Sequence, residues 1–179
     1  MNKLLTTILF AGLLSCGNSN EEEDPYKNYT YEEVMESIDT IDGVKDYIET
    51  HLNYDWEKFK DKSPDKSNDS FEKNHLDKKT ICIETTYAVA SLLKGDYEVI
   101  NMGLDGIGIN HSVALVKNNK GKYACIEMGR YYDFIFDSPQ EVFNEIGKNY
   151  HSYYLFKTDG DEYIENDFKI DLEDLIHEI

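Results

Sequence analysis

An α+β domain, with a helical N-terminal layer packed on a mostly antiparallel sheet, is the fold class the sequence predicts. Three observations carry it. Apolar residues recur at helical spacing from Ile41 to Leu52. A second segment, residues 80–95, begins with threonine, ends with glycine and has the length of a helix. Beyond Gly95, runs of β-branched and aromatic residues are separated by glycine- and asparagine-bearing turns.

At the N-terminus, Lys3 supplies a positive charge and residues 4–14 form an apolar run broken only by Thr6, Thr7, Ala11 and Gly12. The run is too short to span a bilayer as a helix, and it has the flanks of a signal-peptide core. Leu13-Leu14-Ser15-Cys16 resembles the bacterial lipobox. That resemblance implies cleavage before Cys16, diacylation of its thiol and attachment to a membrane through the lipid. The expected location is the bacterial cell envelope. An acidic run just after a lipidated cysteine resembles signals that send some lipoproteins to the outer surface of the outer membrane, so the outer membrane is expected, on its periplasmic or its surface-facing side. Residues 1–15 are thus expected to be a lipoprotein signal peptide. Residues 16–28, with Glu21-Glu22-Glu23-Asp24 at their centre, lack the apolar side chains needed to offset ordering entropy and are expected to be an acidic disordered tether. Residues 29–179 are expected to form one domain.

Charge narrows the partners. The chain carries 18 basic and 36 acidic residues, a net charge of −18, with no basic stripe. Nucleic acid is therefore not an expected partner. Anionic headgroups would repel such a surface, so membrane attachment is assigned to the lipid on Cys16 alone.

Folding starts at Thr30, whose hydroxyl can cap a helix while Glu33 reaches back. Ile41, Val44, Tyr47, Ile48 and Leu52 give the next helix one apolar face, and Tyr54 and Trp56 follow it. The polar residues 61–79 read as a long surface loop. In the helix over residues 80–95, Thr80 as N-cap puts Cys82 in the first turn, where unpaired N–H groups and the dipole favour thiolate over thiol. Glu84, one turn on, opposes that effect.

Strands follow over residues 97–102, 109–117 and 122–128, with a turn bearing Gly103, Gly106 and Gly108 between the first two. Asn118-Asn119-Lys120-Gly121 reads as a hairpin turn. A loop of residues 118–120 puts Lys117 opposite Gly121 and His111 opposite Glu127, on a shared face. A strand over residues 131–136, a helix opened by Ser138-Pro139-Gln140-Glu141, a strand over residues 153–157 and a short helix over residues 171–179 complete the domain.

In this order of parts, a cysteine opens a helix, a histidine lies on a later strand and an acid on the next. It resembles the transglutaminase-like superfamily, which shares its core with papain-like cysteine proteases. The resemblance covers residues 41–133 and rests on Leu52-Asn53-Tyr54-Asp55-Trp56 ending the helix ahead of the loop, on Asn110-His111-Ser112-Val113-Ala114-Leu115-Val116, and on Tyr123-Ala124-Cys125-Ile126-Glu127. It implies Cys82 as nucleophile, His111 as general base and acid, and Glu127 as the group that orients the imidazole. The reaction would be hydrolysis or acyl transfer at an amide or ester of a protein or peptide, through a thioester. Oxyanion donors would be the Cys82 backbone N–H and Tyr54 or Trp56. No cofactor and no metal are expected.

Rival readings of the same residues stand beside these. Cys82 and Cys125 could form a disulfide in an exported domain, or be plain buried thiols. His51, His75, His151 and His177 show no ligand spacing and read as packing or surface residues. Asp159-Gly160-Asp161-Glu162 reads as a solvated turn. A catalytically inactive acidic binding protein of the immunity type, using its charge and its 14 tyrosines at an interface, is the alternative to an enzyme.

Overall fold

The computed structural model describes residues 24–60, 69–93, 95, 97–106, 110–159 and 162–171. The expectations for Cys16, the signal peptide and most of the tether lie outside these residues, as does His177. The chain runs α1 (Tyr31–Ser37), α2 (Ile41–Thr50), β1 (Asn53–Tyr54), α3 (Trp56–Lys60), α4 (Phe71–Asp77), β2 (Lys79–Thr80), α5 (Cys82–Leu92), β3 (Glu98–Asp105), β4 (His111–Lys117), β5 (Tyr123–Glu127), β6 (Arg130–Phe136), α6 (Pro139–Ile146), β7 (Ser152–Asp159) and β8 (Glu162–Asp171). It is an α+β fold. Six strands form one sheet in the order β6-β5-β4-β3-β7-β8, every neighbouring pair antiparallel. A separate two-residue ladder joins β1 to β2 in parallel.

The two-residue period of the strands divides the core. Ala114 and Val116 of β4, with Ala124 and Ile126 of β5, pack against Val34, Val44, Tyr47, Phe71, Ala88, Val89 and Leu92 of the helical layer. The alternate residues Val113, Leu115 and Cys125 join Met102, Leu104 and the α6 side chains Val142 and Phe143 on the other face. Both faces of the middle strands are thus covered. That is why Val113 to Val116 form an unbroken apolar run in which every side chain is buried.

Helix α5 is central, and all its residues but Ile83 are buried. A helix enclosed on all sides shows no amphipathic stripe. Its polar side chains are satisfied locally: Thr85 Oγ1 donates to the Ile81 carbonyl at 3.1 Å and Thr86 Oγ1 to the Ile83 carbonyl at 2.6 Å. Helices α1 and α6 start as their caps dictate. The Glu33 N–H donates to Thr30 Oγ1 at 3.2 Å while Glu33 Oε2 accepts from the Thr30 N–H at 2.7 Å, and the Glu141 N–H donates to Ser138 Oγ at 3.3 Å.

Six expectations are corrected. Residues 24–28 are ordered, not part of a disordered tether: Asp24 is buried and accepts from His51 Nδ1 at 3.0 Å and Lys78 Nζ at 3.0 Å. An acidic residue holds the segment where apolar residues are few. Of the long loop, residues 71–77 are helix α4, capped by Ser70 Oγ and anchored by buried Phe71, Asn74 and His75. Only one of those three anchors is apolar, which hides the helix from a hydrophobic-period reading. The helix expected to run on toward Trp56 stops at Thr50, because residues 53 and 54 are drawn into the ladder with residues 79 and 80. Helix α5 is capped at Ile81, Thr80 being taken by that ladder. Lastly, β3 continues through Gly103 to Asp105, and β8 adds an edge strand where only a turn was expected.

Candidate active site

Cys82 is the first residue of α5, so its backbone N–H has no partner within the helix. The β1–β2 ladder, with Tyr54 opposite Thr80, sets the Tyr54 side chain against this turn. The Tyr54 phenol lies close enough to the Cys82 thiol and backbone N–H for each to act on its charge. From the sheet side, the Ser112 N–H and the His111 side chain reach the same sulfur.

His111 begins β4 and Glu127 ends β5, at the same end of the sheet. His111 Nε2 lies 3.0 Å from Glu127 Oε2, which leaves Nδ1 for the thiol. The hairpin register differs from the one expected. Lys117 pairs with Tyr123 and Ala114 with Ile126, and the Asn118 N–H donates to the Lys122 carbonyl at 3.0 Å. The loop is residues 119–121, with Gly121 at φ +77° in the left-handed region that favours glycine. Continued along the strands, this register puts Glu127 opposite Val113 and diagonal to His111. The shift is two residues, so the shared face survives where a one-residue slip would have lost it.

Charges reinforce the arrangement. Burial alone would raise the Cys82 thiol, but the hydrogen bond and charge of His111, the Tyr54 hydroxyl and the Ser112 N–H together hold it below its ordinary value. Burial alone would lower the His111 imidazole, yet its hydrogen bonds to Cys82 and Glu127 and their negative charges raise it to about 9. The direction of both shifts favours a thiolate–imidazolium pair at neutral pH. Burial, with the charge of Cys82, raises the Tyr54 phenol and keeps it protonated as a donor.

Glu84, one turn beyond Cys82, does not stand as a bare negative charge. It is fully buried and binds Lys58 Nζ, the Asp69 N–H at 2.6 Å and the Ile81 N–H at 3.1 Å. This ties α3, and with it the aromatic group Tyr54, Trp56 and Phe59, to the first turn of α5. Behind the site, Asn101 Nδ2 donates to Thr86 Oγ1 at 2.5 Å and Ser112 Oγ donates to Asn101 Oδ1 at 2.5 Å, linking α5, β3 and β4. The sequence reading missed Ser112, Asn101 and Lys58, since nothing short of the fold brings them together.

Trp56 is half exposed and packs on Tyr54 with ring centroids 4.5 Å apart, so it lies one ring away from the thiol. Tyr150, also missed, stacks on His111 with centroids 6.3 Å apart and planes 16° from parallel. Cys125 is a free thiol, as is Cys82. It is packed on the α6 side of the sheet and pushed up by burial. His51 and His75 stack at 4.7 Å in the helical layer, and His151 pairs with Asp105 at 3.5 Å. Among the described residues no group of three or more His, Cys, Asp and Glu side chains is arranged to hold a metal ion.

No family model matches the chain. No curated protein matches it either. Among solved structures it is similar to one described as "Crystal structure of a TGase", with a TM-score of 0.38 and 20% identity over 65% of this chain. The chain spans about a third of the length of that structure, 34%. The similarity to a transglutaminase structure is weak.

Proposed function

We propose that the protein is a cysteine-dependent hydrolase or acyl transferase of transglutaminase-like type, acting on an amide or ester of a protein or peptide. The observation that carries the reading is the line of contacts from the Cys82 thiol through His111 to Glu127, with the imidazole 3.0 Å from the carboxylate. The lipobox-like Leu13-Leu14-Ser15-Cys16 supports the further reading that the domain is exported and held on the cell envelope by lipid.

In this mechanism the Cys82 thiolate attacks the substrate carbonyl carbon, forming a C–S bond and moving the carbonyl electron pair onto oxygen. The Cys82 N–H and the Tyr54 O–H, which come together beside the thiol in the free site, are the donors this reading assigns to that oxyanion. As the oxyanion collapses, the C–N or C–O bond breaks and the leaving group takes the proton from the His111 imidazolium. Water or an amine then attacks the thioester, gives its proton to the imidazole and releases the thiolate. Glu127 holds the ring through both steps and offsets its positive charge.

The test is the rate of Cys82 alkylation against pH on the reduced full chain, read by mass spectrometry of the Cys82 peptide so that Cys16 and Cys125 do not contribute. Reactivity that saturates below the ordinary thiol range, with a midpoint shifted by His111→Ala, supports the reading. A thiol with an ordinary midpoint, indifferent to His111, removes it and leaves the acidic binding protein.

A further inference from the structure

Arg130 is the chain's sole arginine among 18 basic residues, and it stands beside the candidate triad. It opens β6 directly opposite Glu127, across a turn in which Gly129 takes φ +75°. Its Nε lies 3.5 Å from Glu127 Oε1, the carboxylate oxygen that His111 leaves unused, and 56% of the side chain is exposed. One loose contact through Nε leaves the other N–H groups of the guanidinium fork for a ligand. The phenol of Tyr150, which lies over His111, is raised by burial and by the charges of Glu127 and Cys82 and lowered by that of Arg130. The guanidinium, the phenol, the carboxylate and the thiol therefore lie within electrostatic reach of one another. Asp105 and His151, at the same end of the sheet, lie 3.5 Å apart and pair with each other.

A guanidinium fork binds a carboxylate through two parallel hydrogen bonds, which a lysine ammonium cannot do. On a chain of net charge −18, an anionic substrate needs such a local cation to approach at all. We propose that Arg130 is a specificity-determining residue that receives a carboxylate of the acyl donor. The substrate class is then an amide or ester carrying a carboxylate close to the scissile carbonyl. This rests on the cysteine-dependent reading above.

The experiment compares two alkylating reagents of similar size on the reduced full chain, the anion iodoacetate and the neutral iodoacetamide. In each case the Cys82 sulfur displaces iodide, forming an S–C bond. Rates are read on the Cys82 peptide for the wild type, Arg130→Gln and Arg130→Lys, with circular dichroism checking the fold of each. The iodoacetate-to-iodoacetamide rate ratio is expected to fall roughly five-fold in Arg130→Gln at low ionic strength, with Arg130→Lys between, and the three ratios to converge as salt is added. An arginine that only braces Glu127 would slow both reagents together, and an unchanged ratio on a reactive thiol overturns the substrate class alone. A wild-type Cys82 inert to both reagents overturns the cysteine reading and the substrate class with it.

Discussion

His111 Nε2 meets Glu127 Oε2 at 3.0 Å across a diagonal of the β4–β5 hairpin, not straight across it. Diagonal neighbours lie roughly 7–8 Å apart, their Cβ atoms somewhat closer, a gap that imidazole and carboxylate arms of this length span. An aspartate on the same backbone would be one methylene short. Glu127→Asp is therefore expected to behave like a loss of the contact, and Glu127→Gln, which keeps the length and one acceptor oxygen, to retain more. With p-nitrophenyl acetate as a generic acyl donor, Glu127→Ala and Glu127→Asp should fall about 10²-fold in acylation rate and Glu127→Gln less. Equal rates in all four proteins would show that the carboxylate does not serve the histidine.

Two pH profiles should differ in shape. Cys82 is held below its ordinary value, so alkylation rises as pH climbs through that lowered pKa and then stays high, because only the thiolate is needed. Acyl transfer also needs the proton on His111, whose pKa is raised to about 9. Turnover should therefore rise on the same acid limb and fall above about pH 9, giving a bell whose two limbs belong to the pair. Stopped-flow acylation and iodoacetamide labelling across pH 5 to 10 check this. A labelling rate that also falls above pH 9, or a turnover that does not, contradicts it.

The candidate line of Cys82, His111 and Glu127 could be picked out in the sequence for a physical reason. Cys82, His111 and Glu127 each sit at the end of a regular element, where a cap, a turn or a two-residue period fixes the position. Even the misjudged loop boundary shifted the register by an even number and kept the face. What stayed illegible is what the fold gathers from far along the chain. Tyr54 could be named only through the resemblance, because the two-residue parallel ladder that sets it beside Cys82 is too short to leave a pattern. Ser112 acts through its backbone N–H, which every non-proline residue has. Tyr150 lies in a connection and Arg130 opens a strand just past a turn, so their places depend on the path of the sheet, and Asp24 lies in a stretch whose composition argues for disorder.

Glu84 offers a test in which two effects point the same way. Its carboxylate is fully buried one turn from Cys82 and binds Lys58, which also pairs with Asp69 at 2.7 Å. Glu84→Gln removes a negative charge near the thiol and leaves the Lys58 ammonium less balanced. Both changes favour thiolate, so the alkylation midpoint of Cys82 should move to lower pH. Breaking a buried pair also costs stability, about 3 kcal/mol. Urea denaturation and the labelling profile read the two effects separately, and a midpoint that moves upward would show that Glu84 acts on the thiol by holding the turn rather than by charge.

Asp24 tests whether residues 24–29 belong to the folded unit. Its carboxylate accepts from His51 Nδ1, Lys78 Nζ and the Tyr26 N–H at 2.9 Å, while the His51 ring lies against Tyr47 and His75. The neighbouring imidazole, His75, donates from Nε2 to the Tyr29 carbonyl at 2.8 Å and accepts from the Tyr47 hydroxyl at Nδ1. The segment is thus fastened at both ends to the helical layer by buried and partly buried polar contacts. Asp24→Ala leaves the buried His51 and the partly buried Tyr26 N–H and Lys78 without their acceptor, at a cost of about 2 kcal/mol. For a domain of this size that is a fall in melting temperature of roughly 4–8 °C. The groups that act on the Cys82 thiol are His111, Tyr54 and Ser112, none of which bonds Asp24, so its alkylation midpoint should stay where it is. A melting temperature equal to that of the wild type would mean that the segment lies on the domain without holding it. A shifted Cys82 midpoint would mean that the helical layer transmits strain to the first turn of α5.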